Sequence, residues 1–405
     1  MTIFGRHDEK TIAQIRGVGR HAVRTALMAD GHVGYVMPIG GVAAYANQVS
    51  VVGVGFDIAC GNAAILTDAR LADLGADPAA RTASLARLAD DIQRTISFGL
   101  GRTNRAGDAP TDDPLFDDDA WDALPRRHRQ GLRDRARGQL GTVGSGNHYV
   151  DVFADETDRL WVGVHFGSRG FGHGVASGFL ALGQGAAWEA RVPEREVLLD
   201  LDSTIGEAYW QLMTLAGRYA YTGREWVARK VVGLLGAREL DLVHNHHNFA
   251  WRERHDGREV IVVRKGATPA FPGQRGFVGG SMGDDSVILR GATATPGSGT
   301  AEAQRRALCS TVHGAGRVMS RTQAAGKRFG RDKGRGGAVT PDMQRAWLRE
   351  KGVILRGGGL DESPHVYRRL PDVLAAQGGT IEIEHTLRPL VVVMAGADEV
   401  DPYRD

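Results

Sequence analysis

An α/β fold is predicted for these 405 residues by two features that recur along the chain: short β-branched and apolar runs, and longer stretches in which apolar residues return at helical spacing. A third feature concerns function. The 56 glycines gather in short runs around polar residues and not in repeats, the pattern of backbone that approaches ligands closely and not that of a linker or fibre.

In chain order, residues 10–29 have helical spacing and end at the turn Asp30-Gly31-His32-Val33-Gly34. Tyr35-Val36-Met37 and Val49-Ser50-Val51-Val52 then read as buried strands between glycine bends. Residues 68–97 return to a helical pattern through Leu71, Leu74, Leu85, Leu88 and Ile92. From about 99 to 140 the chain is polar and charge-segregated, acidic over 112–119 and then carrying Arg126, Arg127, Arg129, Arg133, Arg135 and Arg137, which predicts a partly helical surface excursion. Two glycine-rich turns follow, one presenting His148 at the start of a strand and one presenting His165 at the end of another. Residues 205–236 read as helix, with Trp210, Leu212, Met213, Tyr219, Trp226 and Val227 for packing. A third histidine cluster, His244-Asn245-His246-His247-Asn248, precedes the strand Val260-Ile261-Val262-Val263, which delivers Arg264-Lys265-Gly266. Gly279-Gly280-Ser281-Met282-Gly283 is a small-residue turn able to hold a phosphate or nucleobase. A helix over residues 310–321 would align His313, Arg317 and Arg321 on one face, a nucleophile beside an anion clamp.

Composition sets bounds on partners and compartment. A length of 405 residues suits two or three average domains or one elaborate α/β domain, and 24% charged with 42% hydrophobic residues is ordinary for a globular chain. The net charge of +2 is too small for a polycation, so nucleic acid would need a local basic patch. The arginines of 126–137 form one candidate; Lys327, Arg328, Arg331, Lys333 and Arg335 form another. Two cysteines exclude a disulfide framework, and Met1–Arg6 lacks a signal-peptide core, so a reducing, cytoplasmic setting is expected. The uncharged run from Gly31 to Phe56 is interrupted by Pro38, Asn47, Gln48 and glycines, which fits strands around a site and no membrane span.

The chemistry centres on Gly55-Phe56-Asp57-Ile58-Ala59-Cys60-Gly61. Flanking glycines let a carboxylate and a thiol three residues apart face one point, a hard and a soft ligand that could serve two divalent ions with sulfur between them. One such pair alone is more often a core cysteine beside a turn aspartate. His148, His165 and His247, each on its own polar or glycine-rich turn, complete a ligand set. With Arg169, Lys265, Arg317 and Arg321 available for phosphate and His313 as a spare imidazole, the set points to metal-assisted phosphoryl or nucleotidyl transfer.

Carried by Asp30–Gly34, Gly55–Gly61, Gly144–His148, His165–Gly170, His247-Asn248, Arg264–Ala267, Gly280–Gly283 and His313–Arg317, the chain resembles the RtcB family of RNA-splicing ligases from about Asp30 to Val393. The resemblance implies a single catalytic domain over 1–405, with mixed sheets and flanking helices around a central metal cleft. It also implies a GTP- and Mn2+-dependent ligase that joins an RNA 3′-phosphate or 2′,3′-cyclic phosphate to a 5′-hydroxyl in RNA repair or tRNA processing. By the same resemblance Asp57, Cys60, His148, His165 and His247 are the ligands of two ions, and His313 takes GMP from GTP. Asn147, Asp151, Arg169, Asn248, Lys265, Ser281, Arg317 and Arg321 are by that resemblance nucleotide or phosphate contacts, and Tyr367 is a candidate nucleotide contact in place of the family's closing lysine. Affinity order alone would favour Zn2+ at a Cys–His site, so Mn2+ rests on the resemblance. A helper protein for turnover belongs to the same set of expectations.

Two departures stand out. Asp151 occupies a position where the family usually has Glu, and the family's common closing Lys-Gly is replaced by a chain that runs Met394-Ala395-Gly396 and continues to Asp405. Two other readings keep the metal cluster or the fold: a phosphoesterase in which His313 stays unmodified, and a non-catalytic RNA-binding relative.

Overall fold

The computed structural model describes residues 1–326, 336–397 and 399. The second basic cluster, Lys327, Arg328, Arg331, Lys333 and Arg335, lies outside the described residues. The architecture is α/β, as the sequence predicts.

The larger mixed sheet carries, in order, strands Arg275–Val278, Ser286–Gly291, Ile381–Met394, Tyr149–Ala154, Arg159–Phe166, Gly61–Arg70 and Glu239–His246, with Ile354–Arg356 alongside Ile381–Met394. The second sheet runs Thr2–Ile3, Arg24–His32, Ile39–Tyr45, Arg258–Lys265, Asn248–His255. The 31-residue helix Thr204–Leu234 contributes to the core on both sides: Tyr209, Leu212, Met213 and Tyr219 join one buried cluster, Val227, Ala228 and Val231 another. His247 falls at the one-residue step between Glu239–His246 in the first sheet and Asn248–His255 in the second. No helix among the described residues is long and apolar enough to cross a membrane.

Several elements differ from the sequence expectation. Residues 10–29 divide into the helix Glu9–Val18, whose N-cap Asp8 accepts from the Thr11 amide, and the strand Arg24–His32. Residues 25–31 are buried throughout, and a short continuous apolar run covered on all sides reads as either element. Tyr35-Val36-Met37 is not a strand: Gln14 donates to the carbonyls of Gly34 (2.6 Å) and Tyr35 (2.9 Å), and pairing starts at Ile39. The Val49–Val52 run breaks because the Ser50 hydroxyl caps the Gly53 amide (2.8 Å), turning Val51–Val54 into one helical turn after the strand Gln48–Ser50. The helix expected over 310–321 is absent. Ser310–Val312 is a strand, a loop follows, and a new helix starts at Arg321 under a Ser320 cap. Gly316 bends that loop at φ +72°, where a Cβ would sit 2.3 Å from the Asp30 carbonyl oxygen. His313, Arg317 and Arg321 therefore share no helix face.

The stretch 99–140 is partly helical, with Arg126–Gln139 an α-helix, but it does not simply run over the surface. Leu115, Phe116, Trp121, Leu124, Leu132 and Ala136 are buried in the core, and the Trp121 ring lies 4.6 Å from that of Phe171. Trp121→Ala is expected to destabilise the protein by about 3–5 kcal/mol, as for other large aromatic truncations in cores, whereas an exposed residue would cost about 0.5 kcal/mol or less. Equilibrium denaturant unfolding decides between the two.

Candidate metal centre

Strand register builds the site. Gly61 is paired with Phe166 on one side and His246 on the other, and Tyr149 is paired with His165. Four neighbouring strands thus bring their ends together at one place, so that Cys60, His148, His165 and His247, each at or one residue from a strand end, converge. The Cys60 carbonyl accepts from the amides of His247 (2.8 Å) and Asn248 (3.2 Å), which ties the third histidine to the thiol's own backbone.

The five sequence-predicted ligands come together as two overlapping triads, Asp57–Cys60–His148 and Cys60–His165–His247, with ligand atoms in each within 4.8 Å of one another and Cys60 in both. The Cys60 sulfur is 3.2 Å from His165 Nε2 and 3.6 Å from His148 Nε2. Both nitrogens of His148 meet acceptors, Nδ1 the Val143 carbonyl at 3.0 Å and Nε2 the Asp57 carboxylate at 3.1 Å, and Nε2, facing Asp57 and Cys60, is the nitrogen placed to ligate an ion. Asp57 fits only because residue 167 is glycine: a Cβ there would sit 2.2 Å from its carboxylate oxygen.

Electrostatics suit a cation. Burial, with the charges of neighbouring histidines, holds His165 and His247 well below the usual imidazole range, so both are neutral donors. Burial opposes ionisation of Asp57, but its hydrogen bond to His148 and the His148 charge prevail and leave it below the carboxylate range. Burial and the Asp57 charge push the Cys60 thiol up. The buried His247 Nδ1 has no hydrogen-bond partner among the described residues. A soft thiol, neutral imidazoles and a carboxylate, packed closely with an orphaned nitrogen, fit a divalent transition ion.

His313 stands beside this cluster, its ring 4.9 Å from that of His247. Its Nδ1 is 2.6 Å from Asp30 Oδ2, and the same oxygen accepts from the backbone amides of His313 (2.9 Å) and Gly314 (3.3 Å). Asp30 is fully buried; burial pushes its carboxyl up, but the charge and hydrogen bonds of His313 outweigh this and hold it below its ordinary value. Sequence reasoning gave Asp30 no role, although it stood in the Asp-Gly-His motif. It also missed Arg224, a fully buried guanidinium from the long helix that donates to the carbonyls of Ala59 (2.9 Å) and Phe166 (2.6 Å), the neighbours of Cys60 and His165, and lies 2.8 Å from His246 Nδ1. No periodicity marks it apart from a packing position.

The other expected contacts separate into groups. Arg169 points at the centre, with Nη1 3.2 Å from His148 and a buried Nε that has no partner among the described residues. Its guanidinium occupies the space over Gly144, where a Cβ would lie 1.7 Å from Nη2. Lys265 is buried and donates to the Val52 carbonyl (3.0 Å). Asn248 Oδ1 accepts from the Gly266 amide (2.7 Å), and Asn147 is exposed next to His148. Arg317, Arg321 and Tyr367 form a distinct cluster around acids absent from the sequence reading. Arg317 donates to Tyr367 Oη (3.0 Å) and the Asp361 carbonyl (2.8 Å), Arg321 is paired with Asp361 (3.2 Å) and Glu362, and Tyr367 donates to Glu362. Ser281 donates to Asp284 (2.7 Å). Asp151 is buried and pushed well up by that burial, with Oδ1 unpartnered among the described residues.

The sequence model of a family described as "tRNA-splicing ligase RtcB" matches residues 9–395. The "RNA-splicing ligase RtcB" of Escherichia coli strain K12 is 30% identical over 391 residues, covering 91% of this chain and 89% of the relative. The "tRNA-splicing ligase RtcB" of Archaeoglobus fulgidus is 31% identical over 97% of this chain and 92% of its own length, and the "RNA-splicing ligase RtcB" of Mycobacterium tuberculosis 31% over 86% and 91%.

Because a metal-bound thiol must lose its proton and that of Cys60 is raised, metal uptake should release a proton and weaken by about tenfold per pH unit for each proton displaced as pH falls from 8 to 6. Cys60→Ala should abolish uptake, while Cys309→Ala leaves it unchanged. Calorimetric titration with Zn2+ or Mn2+ in buffers of different ionisation enthalpy measures both, and full metal content in Cys60→Ala would remove the thiol from the site.

Proposed function

The chain belongs to the RtcB family, and from that membership we propose that it is a GTP- and Mn2+-dependent ligase joining RNA 3′-phosphate or 2′,3′-cyclic phosphate ends to 5′-hydroxyl ends through a histidine–GMP intermediate. The observation that carries the proposal is the buried Asp30–His313 pair beside the metal-ligand cluster. An ionised Asp30 accepts from Nδ1–H, so the lone pair resides on Nε2, the nitrogen that attacks the α-phosphorus of GTP. The N–P bond forms as the bond to pyrophosphate breaks, and the positive charge that develops on the ring is matched by the aspartate. A 2′,3′-cyclic end is first opened by water at the P–O2′ bond to a 3′-phosphate; the RNA 3′-phosphate then takes GMP from His313, and the 5′-hydroxyl displaces GMP as the new phosphodiester forms.

Divalent ions held by Asp57, Cys60, His148, His165 and His247, one per triad with Cys60 shared, would neutralise phosphate charge and polarise the reacting P–O bonds. Arg169, whose Nε has no partner among the described residues, and Lys265 are the cations we assign to phosphate. Asn147, Asn248 and Ser281 supply further polar contacts, and Arg317, Arg321 and Tyr367 a second basic cluster whose charge Asp361 and Glu362 offset. The physiological setting is RNA repair or tRNA splicing.

Protein given Mn2+ and GTP labelled at the α-phosphate is expected to acquire acid-labile, base-stable label. His313→Ala abolishes it, and Asp30→Asn slows it by about 10²-fold or more, since loss of the proton-holding partner misassigns the ring tautomer. Label persisting in His313→Ala would leave the phosphoesterase reading in its place.

Base selectivity should be relaxed. Loss of one charge-assisted hydrogen bond from a lysine costs about 1.5–3 kcal/mol, or about one to two powers of ten in preference. Asp151, short and held neutral by burial, recovers little of it. GTP is expected to remain preferred while ATP or dGTP gives measurable labelling, and Asp151→Glu to sharpen the preference; comparison of the four ribonucleotides and dGTP checks this, and strict GTP dependence would contradict it.

A further inference from the structure

One row of side chains beside the metal centre takes no part in the chemistry above. Tyr35, Phe56 and His173 form a continuous file of rings: Tyr35 meets Phe56 edge-on at 6.4 Å, and Phe56 lies tilted over His173 at 5.6 Å. The file starts at the centre, since Phe56 adjoins Asp57, and runs outward to Tyr35, which is 46% exposed beside the 47% exposed Val33. Aromatic rings of this size are normally more buried, and here the outermost stands half exposed on a loop whose carbonyls Gln14 pins.

Charge follows the same edge. In the helix Arg126–Gln139, Arg127, Arg129 and Arg133 are neutralised by Glu189, Asp122 and Asp117, and Arg137 lies over the Phe116 ring. Arg135 has no carboxylate partner among the described residues and is exposed. It is also the arginine that reaches the site: its Cδ is 3.1 Å from where a Gly170 Cβ would stand, in the first turn of the helix Arg169–Gly183, one turn before His173. Three of the six arginines on this helix are thus compensated by carboxylates, and of those without one among the described residues Arg135 is the one that packs beside the turn following Arg169.

From this we propose that Tyr35, Phe56 and His173 form a stacking ledge for the unpaired nucleotides adjoining the RNA end that enters the metal centre, with Arg135 contacting a backbone phosphate. The proposal rests on the ligase reading for the identity of the substrate, and adds the surface that seats it. One exposed ring leading to two half-buried ones, beside a guanidinium with no carboxylate partner among the described residues, matches single-stranded nucleic acid, because every unpaired base offers a face for stacking and every phosphate a charge. A duplex end, with its bases already stacked, gains nothing from the rings. An end must be unpaired over a few nucleotides to be ligated well.

The test is binding of a fluorescein-labelled, unpaired RNA oligonucleotide with a 3′-phosphate, followed by anisotropy across a salt series, alongside GTP labelling of His313. Tyr35→Ala is expected to weaken binding about tenfold and Tyr35→Phe to restore it. Arg135→Gln should weaken it several-fold and lower the salt slope by about one, whereas Arg133→Gln, whose arginine is already paired, leaves both unchanged. A blunt hairpin with the same end should bind more weakly than the unpaired strand. Unchanged affinity in Tyr35→Ala and Arg135→Gln would overturn the ledge even if the wild-type protein labels and ligates. Parallel loss of His313 labelling and RNA affinity in Tyr35→Ala would assign the ring to the architecture of the centre and overturn it too. Absence of labelling in the wild-type protein bears instead on the ligase reading, and RNA binding that still depended on Tyr35 would leave the ledge standing without it.

Discussion

The pairing of Gly61 between Phe166 and His246 is the constraint on which the rest depends. A strand register has a period of two, so a slip of one residue would turn His165 and Cys60 to opposite faces and dissolve both triads at once. Two devices guard that register. The Cys60 carbonyl is held by two amides of the next ligand-bearing turn, and Arg224 spans the carbonyls of Ala59 and Phe166 from behind. A fully buried guanidinium is expensive unless its donors are satisfied. Here Nη1 is satisfied by the backbone beside Cys60 and His165 while Nε and Nη2 meet His244 and His246, so the cost of burying the charge is tied in part to the geometry of the ligands.

Burial also prepares the donors in opposite senses. The same dry surroundings that keep His165 and His247 neutral, as ligands must be, make the Cys60 thiol harder to ionise. A bound cation would reconcile a buried Cys60 thiolate with the half-buried Asp57, which otherwise meet across the single imidazole of His148. The donors are therefore arranged for an ion and not for one another. His313 differs in this respect: its partner is Asp30, and so its second nitrogen is available for chemistry and not for structure.

The ligand set was legible because each member sits in a short motif with glycine on one side or a polar turn about it, and glycine spacing survives whatever the surrounding fold does. Asp57 to Cys60 and the three histidines could be named, and the structure brings all five together. What the sequence could not convey was the role of residues whose partners lie far along the chain. Asp30 reaches His313 across 283 positions and Arg224 reaches Ala59 across 165, and neither leaves a periodic trace. Local spacing misled where burial is complete. Residues 24–29 look helical and belong to a strand, and 310–321 looks helical because His313, Arg317 and Arg321 happen to be four apart, although Gly316 turns the chain between them. Trp121 and its neighbours were hidden by the charges on either side, which are exposed while the rings between them are not.

Breaking the supposed face of His313, Arg317 and Arg321 changes how the cleft meets phosphate. Had the two arginines flanked His313 on a helix, their charge would have been free for a nucleotide. Instead Asp361 and Glu362 take up both guanidiniums and Tyr367 links them, so the cluster is close to neutral and rigid before any ligand arrives. A phosphate entering there must compete with two buried carboxylates, and leaving either of them unpaired is costly. Arg169 carries no such obligation among the described residues, since its buried Nε has no partner there and its guanidinium rests against His148. In the proposed reaction phosphate is therefore expected to meet Arg169 beside the metal-ligand cluster, on the side where Gly144 leaves room for the guanidinium, before it meets the Arg317–Arg321 cluster. That division explains why the glycines of 141–146 and the histidine they present occur together: one turn supplies a ligand and, by the absence of a side chain, the room for the charge that stands beside it.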